Sequence, residues 1–206
     1  KTARKGYGRL QTVAYLVSPD AGRTWQRSDG SQVSLPATAD TADVLARGGV
    51  DLERTLRAGA MAVAPDGRPH VVYSVQQSER SQLLVAHPRG DGSWQRIELN
   101  RFVPDPWSSW DLIAPAGLTF TANGQLVITA QMQMPDQAAS TWGNPTNEVV
   151  AFRSRDGDHG FSFTLLSQPD RQRSQWLPNI ERQTGHHPVP EHPGVLYTVG
   201  GPGAKN

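Results

Sequence analysis

The residues best equipped for chemistry in this chain are arginines and tryptophans. Near its start, Lys1-Thr2-Ala3-Arg4-Lys5-Gly6-Tyr7-Gly8-Arg9 sets four cations around one tyrosine. Arg54 and Arg57 follow Glu53 further on, and Trp107 and Trp110 sit in the Pro-stiffened passage Arg101–Asp111. Trp142 lies in a long loop, Gln131–Asn147, and long loops are often functional. Indole rings stack on sugar rings, and guanidinium forks grip carboxylates or sulfates through paired hydrogen bonds. Together these types suit recognition of an anionic sugar. His186, His187, Glu191 and His192 put three imidazoles and a carboxylate within seven residues, a set that could supply zinc ligands. Pro188 and Pro190 make that stretch a stiff surface turn instead, so no metal site and no cofactor is expected. No Gly-rich phosphate cradle, Gly-x-Ser-x-Gly elbow or His-Glu-x-x-His motif occurs.

Composition narrows the elements that must hold these groups. The 206 residues include 20 Gly and 16 Pro beside short apolar runs, which points to an all-β chain rather than a helical bundle. A net charge of +1 gives no global field for nucleic acid, so none is expected as a partner. No run approaches the length of a membrane span, and membrane insertion is not expected. The absence of cysteine rules out a disulfide framework and a thiolate nucleophile. No signal peptide is visible, and since the first residue is Lys1 the true N-terminus is expected upstream.

The organising stretch is Ser18-Pro19-Asp20-Ala21-Gly22-Arg23-Thr24-Trp25. Asp20 can accept hydrogen bonds from backbone N–H groups just beyond it, Gly22 allows a positive φ, and Trp25 opens a returning strand. Related hairpins recur around Trp94 and Phe163, each 69 residues further on, the last with two extra residues. Asp66-Gly67 and Asn123-Gly124 mark a second recurring turn. Two landmarks in fixed order define a repeat. The octet closely resembles the Asp box of the bacterial neuraminidase repeat family, and beyond the box the stretches Asp66–Tyr73 and Pro193–Thr198 also resemble that family. In that family Ser18, Asp20, Gly22, Thr24 and Trp25 would be structural, joining the outer strands of a β-propeller blade.

The resemblance implies a partial propeller of four-stranded antiparallel blades, about three blades' worth, within one domain spanning 1–206. Its blade remnants are 1–30, 57–99, 117–167 and 179–206. Arg9–Ser18 and Trp25–Arg27 are the expected outer pair of the first, and Thr41–Ala58 could hold a helical turn. Since propellers have at least four blades, the chain is expected to be a segment cut at both ends. In such enzymes the site lies at the axis on the face away from the boxes. That places Tyr7, Arg9 and Arg57 as catalytic candidates, with Arg4, Lys5, Arg54, Trp107, Trp110 and Trp142 as substrate-binding residues. By likeness to the family, which includes ulvan lyases, the protein is expected to be secreted, extracellular or periplasmic, and to act on an acidic polysaccharide by lyase-type elimination. A non-catalytic glycan- or protein-binding propeller and a sialidase-like exo-glycosidase are the alternatives. Oligomeric state is not legible.

Overall fold

The computed structural model describes residues 10–49, 51–78, 80–135, 143–169 and 171–201. The described chain is all-β apart from one 3-10 turn, Asn100–Phe102. Strands β3 (Arg54–Val63), β4 (Pro69–Gln77), β5 (Arg80–Pro88) and β6 (Trp94–Glu98) form one four-stranded antiparallel sheet in sequence order. Strands β7 (Asp111–Phe120), β8 (Leu126–Gln133), β9 (Glu148–Ser154) and β10 (Ser162–Leu165) form another, and counted along the chain these are the second and third sheets. Two-stranded sheets flank them: β1 (Thr12–Tyr15) with β2 (Asp43–Arg47), and β11 (Gln175–Ile180) with β12 (Val195–Val199). The first strands of successive sheets, β3, β7 and β11, pack side by side. This is a partial, multi-blade, propeller-like arrangement.

The core lies in the seams between sheets. Strand alternation sends Val71, Tyr73 and Val75 to one side of β4, against Val13, Tyr15 and Leu45 of the first sheet. It sends Val72 to the other, against Leu112, Leu118, Leu126 and Ile128 of the third. Both faces of β4 are therefore buried, which is why its apolar run is continuous rather than alternating. Polar staples cross the first seam, where Tyr73 Oη and Arg96 Nε donate to the Leu45 carbonyl at 3.3 and 3.0 Å.

Three expectations need correction. Thr41–Ala58 holds no helical turn: β2 and the start of β3 occupy it, with Leu45 and Leu56 both buried in the first seam. The partner of β1 is β2 rather than Trp25–Arg27, which meets the other arm of its hairpin at the bridge Val17–Gln26 and pairs onward from Gln26 to Gln32. Residues 28–42 interrupt that outer strand. In the third hairpin Phe161, not Phe163, stands where Trp25 stands in the first. Arg153 pairs with Ser162 as Val17 pairs with Gln26, so the two hairpins are the same length and no residues are inserted. Innermost strands also begin earlier than their apolar runs suggest. Pro115 in β7 and Pro178 in β11 break the pattern, yet their first-strand position lets the missing N–H face away from the ladder.

Candidate functional site

The hairpins fix the orientation of everything else. Asp20 Oδ1 accepts from Thr24 N at 2.8 Å and from Ser18 Oγ at 3.0 Å, while its Oδ2 accepts from Thr24 Oγ1 at 2.8 Å. Gly22 N donates to Ser18 Oγ, and Gly22 holds φ at 92°. Asp91 and Asp156 close the second and third hairpins in the same manner. These bonds favour the ionised carboxylates and hold Asp20, Asp91 and Asp156 below the usual range, backbone donation being the main cause at Asp20 and Asp156 and the Ser93 hydroxyl at Asp91. All are internal to their turns. Trp25 is half-buried at the return.

At the opposite ends of the same strands a different polar set gathers. Alternation along β3 separates its two arginines: Arg54 shares the first-seam side with Leu56, and Arg57 faces the third sheet. Arg57 Nη1 donates to the Ile113 carbonyl on β7 at 3.1 Å, and Nη2 to Gln76 Oε1 at 3.2 Å. Ser74 Oγ joins it on the Ile113 carbonyl at 3.2 Å. Arg54 Nε donates to Gln77 Oε1 at 3.0 Å. Burial lowers the Arg57 pKa from its ordinary value, but a guanidinium remains charged at any physiological pH. Among the described residues no carboxylate pairs with Arg57. A half-buried cation held by neutral oxygens is a ready partner for a carboxylate or sulfate.

Beside it, Asp111 opens β7. Its Oδ1 accepts from Arg80 Nε at 3.0 Å and from Ser81 N at 3.3 Å, and Ser81 Oγ donates to the Leu112 carbonyl at 2.9 Å. Burial raises the Asp111 pKa. Asp111 stands inside the aromatic passage noted in the sequence, but its burial comes from β5, thirty residues upstream by the Ser81 contact, so no local signal marks it.

The remaining candidates separate. Trp110 is 7% exposed within the core, and Trp107 packs edge-on against it with centroids 4.7 Å apart. Trp110 thus has no ring face free for a sugar, and its passage is held together by its own aromatics. Arg4, Lys5, Tyr7, Arg9 and Trp142 lie outside the described residues. All six histidines lie towards the hairpin face: His70 and His87 at hairpin-side strand ends, His159 in the third hairpin, and His186, His187 and His192 in the β11–β12 connection. Among the described residues no group of His, Asp and Glu is gathered to hold a metal ion. No helix among them is long and apolar enough to cross a membrane.

Fold and hairpins together define an all-β, β-propeller-like architecture whose hairpins are of the Asp-box kind. Residues 6–102 match the model of a BNR repeat-containing family member. No curated protein matches the chain. Among solved structures it is similar to a polysaccharide lyase, a PL25 ulvan lyase, with 13% identity and TM-score 0.52 over 86% of this chain, in a structure bound to -[GlcA(1-4)Rha3S]-. A second structure of a PL25 ulvan lyase gives 13% identity and 0.51 over the same share. A protein of unknown function from Dyadobacter fermentans gives 15% identity and 0.46 over 81%. The chain spans 40% of the length of each of these. The shared property is the fold.

Proposed function

We propose that this protein is a secreted propeller that engages an acidic polysaccharide on the face opposite its hairpins, in an extracellular or periplasmic setting. The observation that carries the reading is Arg57, a half-buried guanidinium with neutral partners at 3.1 and 3.2 Å and, among the described residues, no carboxylate paired with it. A uronate carboxylate or sulfate ester would complete its charge pairing, while Arg54, held by Gln77 on the other side of β3, is assigned a contact further along the sugar chain. The favoured chemistry is elimination. A base takes the C5 proton, the electron pair forms a C4–C5 double bond, the C4–O bond breaks and the leaving oxygen takes a proton. Arg57 neutralises the carboxylate so that the C5 proton becomes acidic. Tyr7 with Arg9 is assigned the proton transfer, and Arg4, Lys5, Trp107 and Trp142 the flanking sugar contacts.

A second reading, a glycan-binding propeller without catalysis, draws support from the absence of any histidine on that face among the described residues. One experiment separates the two. The protein is incubated with uronate-containing polysaccharides while absorbance is followed near 235 nm (roughly, the band of the new double bond formed after C5 proton abstraction). A rise that Tyr7→Phe abolishes supports elimination. Binding without a rise supports the second reading, and release of reducing sugar without a rise would point to a sialidase-like hydrolase. In either of the first two cases Arg57→Ala is expected to weaken binding about tenfold or more, from loss of charge-assisted hydrogen bonds. Unchanged affinity in that variant removes Arg57 from the site.

A further inference from the structure

The seam between the second and third sheets contains two histidines that the proposed site does not use. His70 on β4 and His87 on β5 are 0% and 2% exposed, and their rings stack with centroids 4.8 Å apart and planes 29° apart. Phe120 of β7 closes one side, edge-on to His70 at 5.0 Å. The third hairpin closes another: a Cβ on Gly157 would lie 2.8 Å from His70 Nε2. Charged groups reach the pair from two elements. Asp158 of the third hairpin abuts His87 Nε2 with one carboxylate oxygen and meets Arg68 Nη1 at 3.4 Å with the other. Arg68, in the β3–β4 turn, is held by Asp66 at 2.6 Å. Of the other charged groups of that hairpin, Asp156 and His159 pair with each other at 3.4 Å and Arg155 is exposed to solvent.

The two rings differ in what faces them. His87 Nδ1 faces the Pro88 carbonyl at 3.2 Å, and its Nε2 abuts the Asp158 carboxylate without hydrogen-bond geometry. His70 Nδ1 faces the Arg68 carbonyl at 3.3 Å, while its Nε2 is buried with no hydrogen-bond partner. That arrangement suits a neutral ring carrying its proton on Nδ1. A proton on His70 Nε2 would place a charge in the buried seam with no acceptor for the new N–H and with Gly157 closed over it.

We propose that the His70–His87 pair, with Asp158 and Arg68, is an acid-sensitive latch tying the second sheet to the third, and that protonation of His70 opens this seam on the hairpin face. Burial, then the neighbouring His87, lowers the His70 pKa from 6.5 to about 4. The open state, with His70 in water, recovers the ordinary value, so it binds the extra proton first. The latch is therefore fully closed above about pH 6.5 and weakens as pH falls towards 4, opening about tenfold more for each unit crossed. This rests on nothing in the proposed glycan site and stands if that reading fails.

The test is amide hydrogen exchange of residues 154–161, corrected for the intrinsic pH dependence, at pH 7 and pH 4.5. Exchange in the wild-type protein is expected to accelerate by about a hundredfold relative to the second-sheet strands, two pH units below the ordinary pKa. His70→Gln should leave no such pH dependence. Should that variant not fold, long-range proton–nitrogen spectra of the histidine-labelled wild type decide. They should show His70 neutral, with its proton on Nδ1, at pH 7. A His70 ring carrying both protons at pH 7, or a pH effect that survives in His70→Gln, would overturn the latch.

Discussion

Two glycines set how closely the sheets approach, and they do so by absence of a side chain rather than by backbone freedom. A Cβ on Gly59 would lie 2.6 Å from Pro115 Cβ and 2.8 Å from the Val72 carbonyl oxygen. One on Gly117 would lie 2.3 Å from Ile180 Cγ2 and 2.9 Å from Thr129 Oγ1. Each glycine sits on the first strand of its sheet and admits the first strand of the next. Gly117→Ala is accordingly expected to lower stability by about 1–3 kcal/mol through overpacking, seen as a lower thermal midpoint. Gly22→Ala is the contrast: its φ is 92° with nothing within 4 Å of the added carbon, so it should cost only the strain of a left-handed alanine, about 1 kcal/mol. Equal losses would mean that contact at Gly117 is relieved by strand movement. The same limit governed what could be read at the site. Arg57 was visible beside the start of an inner strand, but its anchor is the carbonyl of Ile113, fifty-six residues away, and no local spacing encodes that pairing.

At the scale of the element, the hairpins carry their own instructions and the strands depend on their neighbours. Asp156 accepts from the backbone of Asp158 and His159, both at 2.9 Å, and from Ser154 Oγ at 3.1 Å. Asp156→Ala should destabilise by about 1 kcal/mol, the value for bonds to a charged acceptor discounted for exposure. The sign with pH follows from the depressed pKa. The stabilisation is present above the ordinary aspartate value and is lost as pH falls below it. The gap in urea midpoint between variant and wild type should therefore be smaller at pH 3 than at pH 6, a window distinct from that of the histidine pair. Because turn chemistry is local, the first box was legible residue by residue. The second sheet was legible too, since Val71–Tyr73 is buried on both faces. The frame of the third box was not, because Phe161 and Phe163 are equally aromatic and only the pairing of Arg153 with Ser162 selects between them. Nor was β2 visible: residues 28–42 separate it from Gln26, and its partner lies on β1, earlier in the chain.

In the molecule as a whole, stability is distributed over seams, each sheet burying its faces mainly against its neighbours, so the outermost surfaces behave unlike the interior. The order β11–β12 leaves the outer edge of β12 without a partner strand among the described residues. Its side chains include Leu196 at 79% and Val199 at 48% exposure. An open edge with apolar side chains is a template for pairing with another strand, and a net charge of +1 supplies little repulsion between molecules. For the 206-residue chain taken by itself, concentration-dependent association through this edge is the expected behaviour. Leu196→Lys places a charge on the edge strand without removing buried packing. Light scattering over a concentration series should show less association in the variant, with the thermal midpoint within about 0.5 kcal/mol of wild type in stability terms. Affinity for acidic polysaccharide should be unchanged, because Arg57 lies two sheets away from β12. If association persists in Leu196→Lys and in Val199→Lys, the sticky surface is elsewhere, and the exposed Met61 and Val63 of β3 become the surface to charge next.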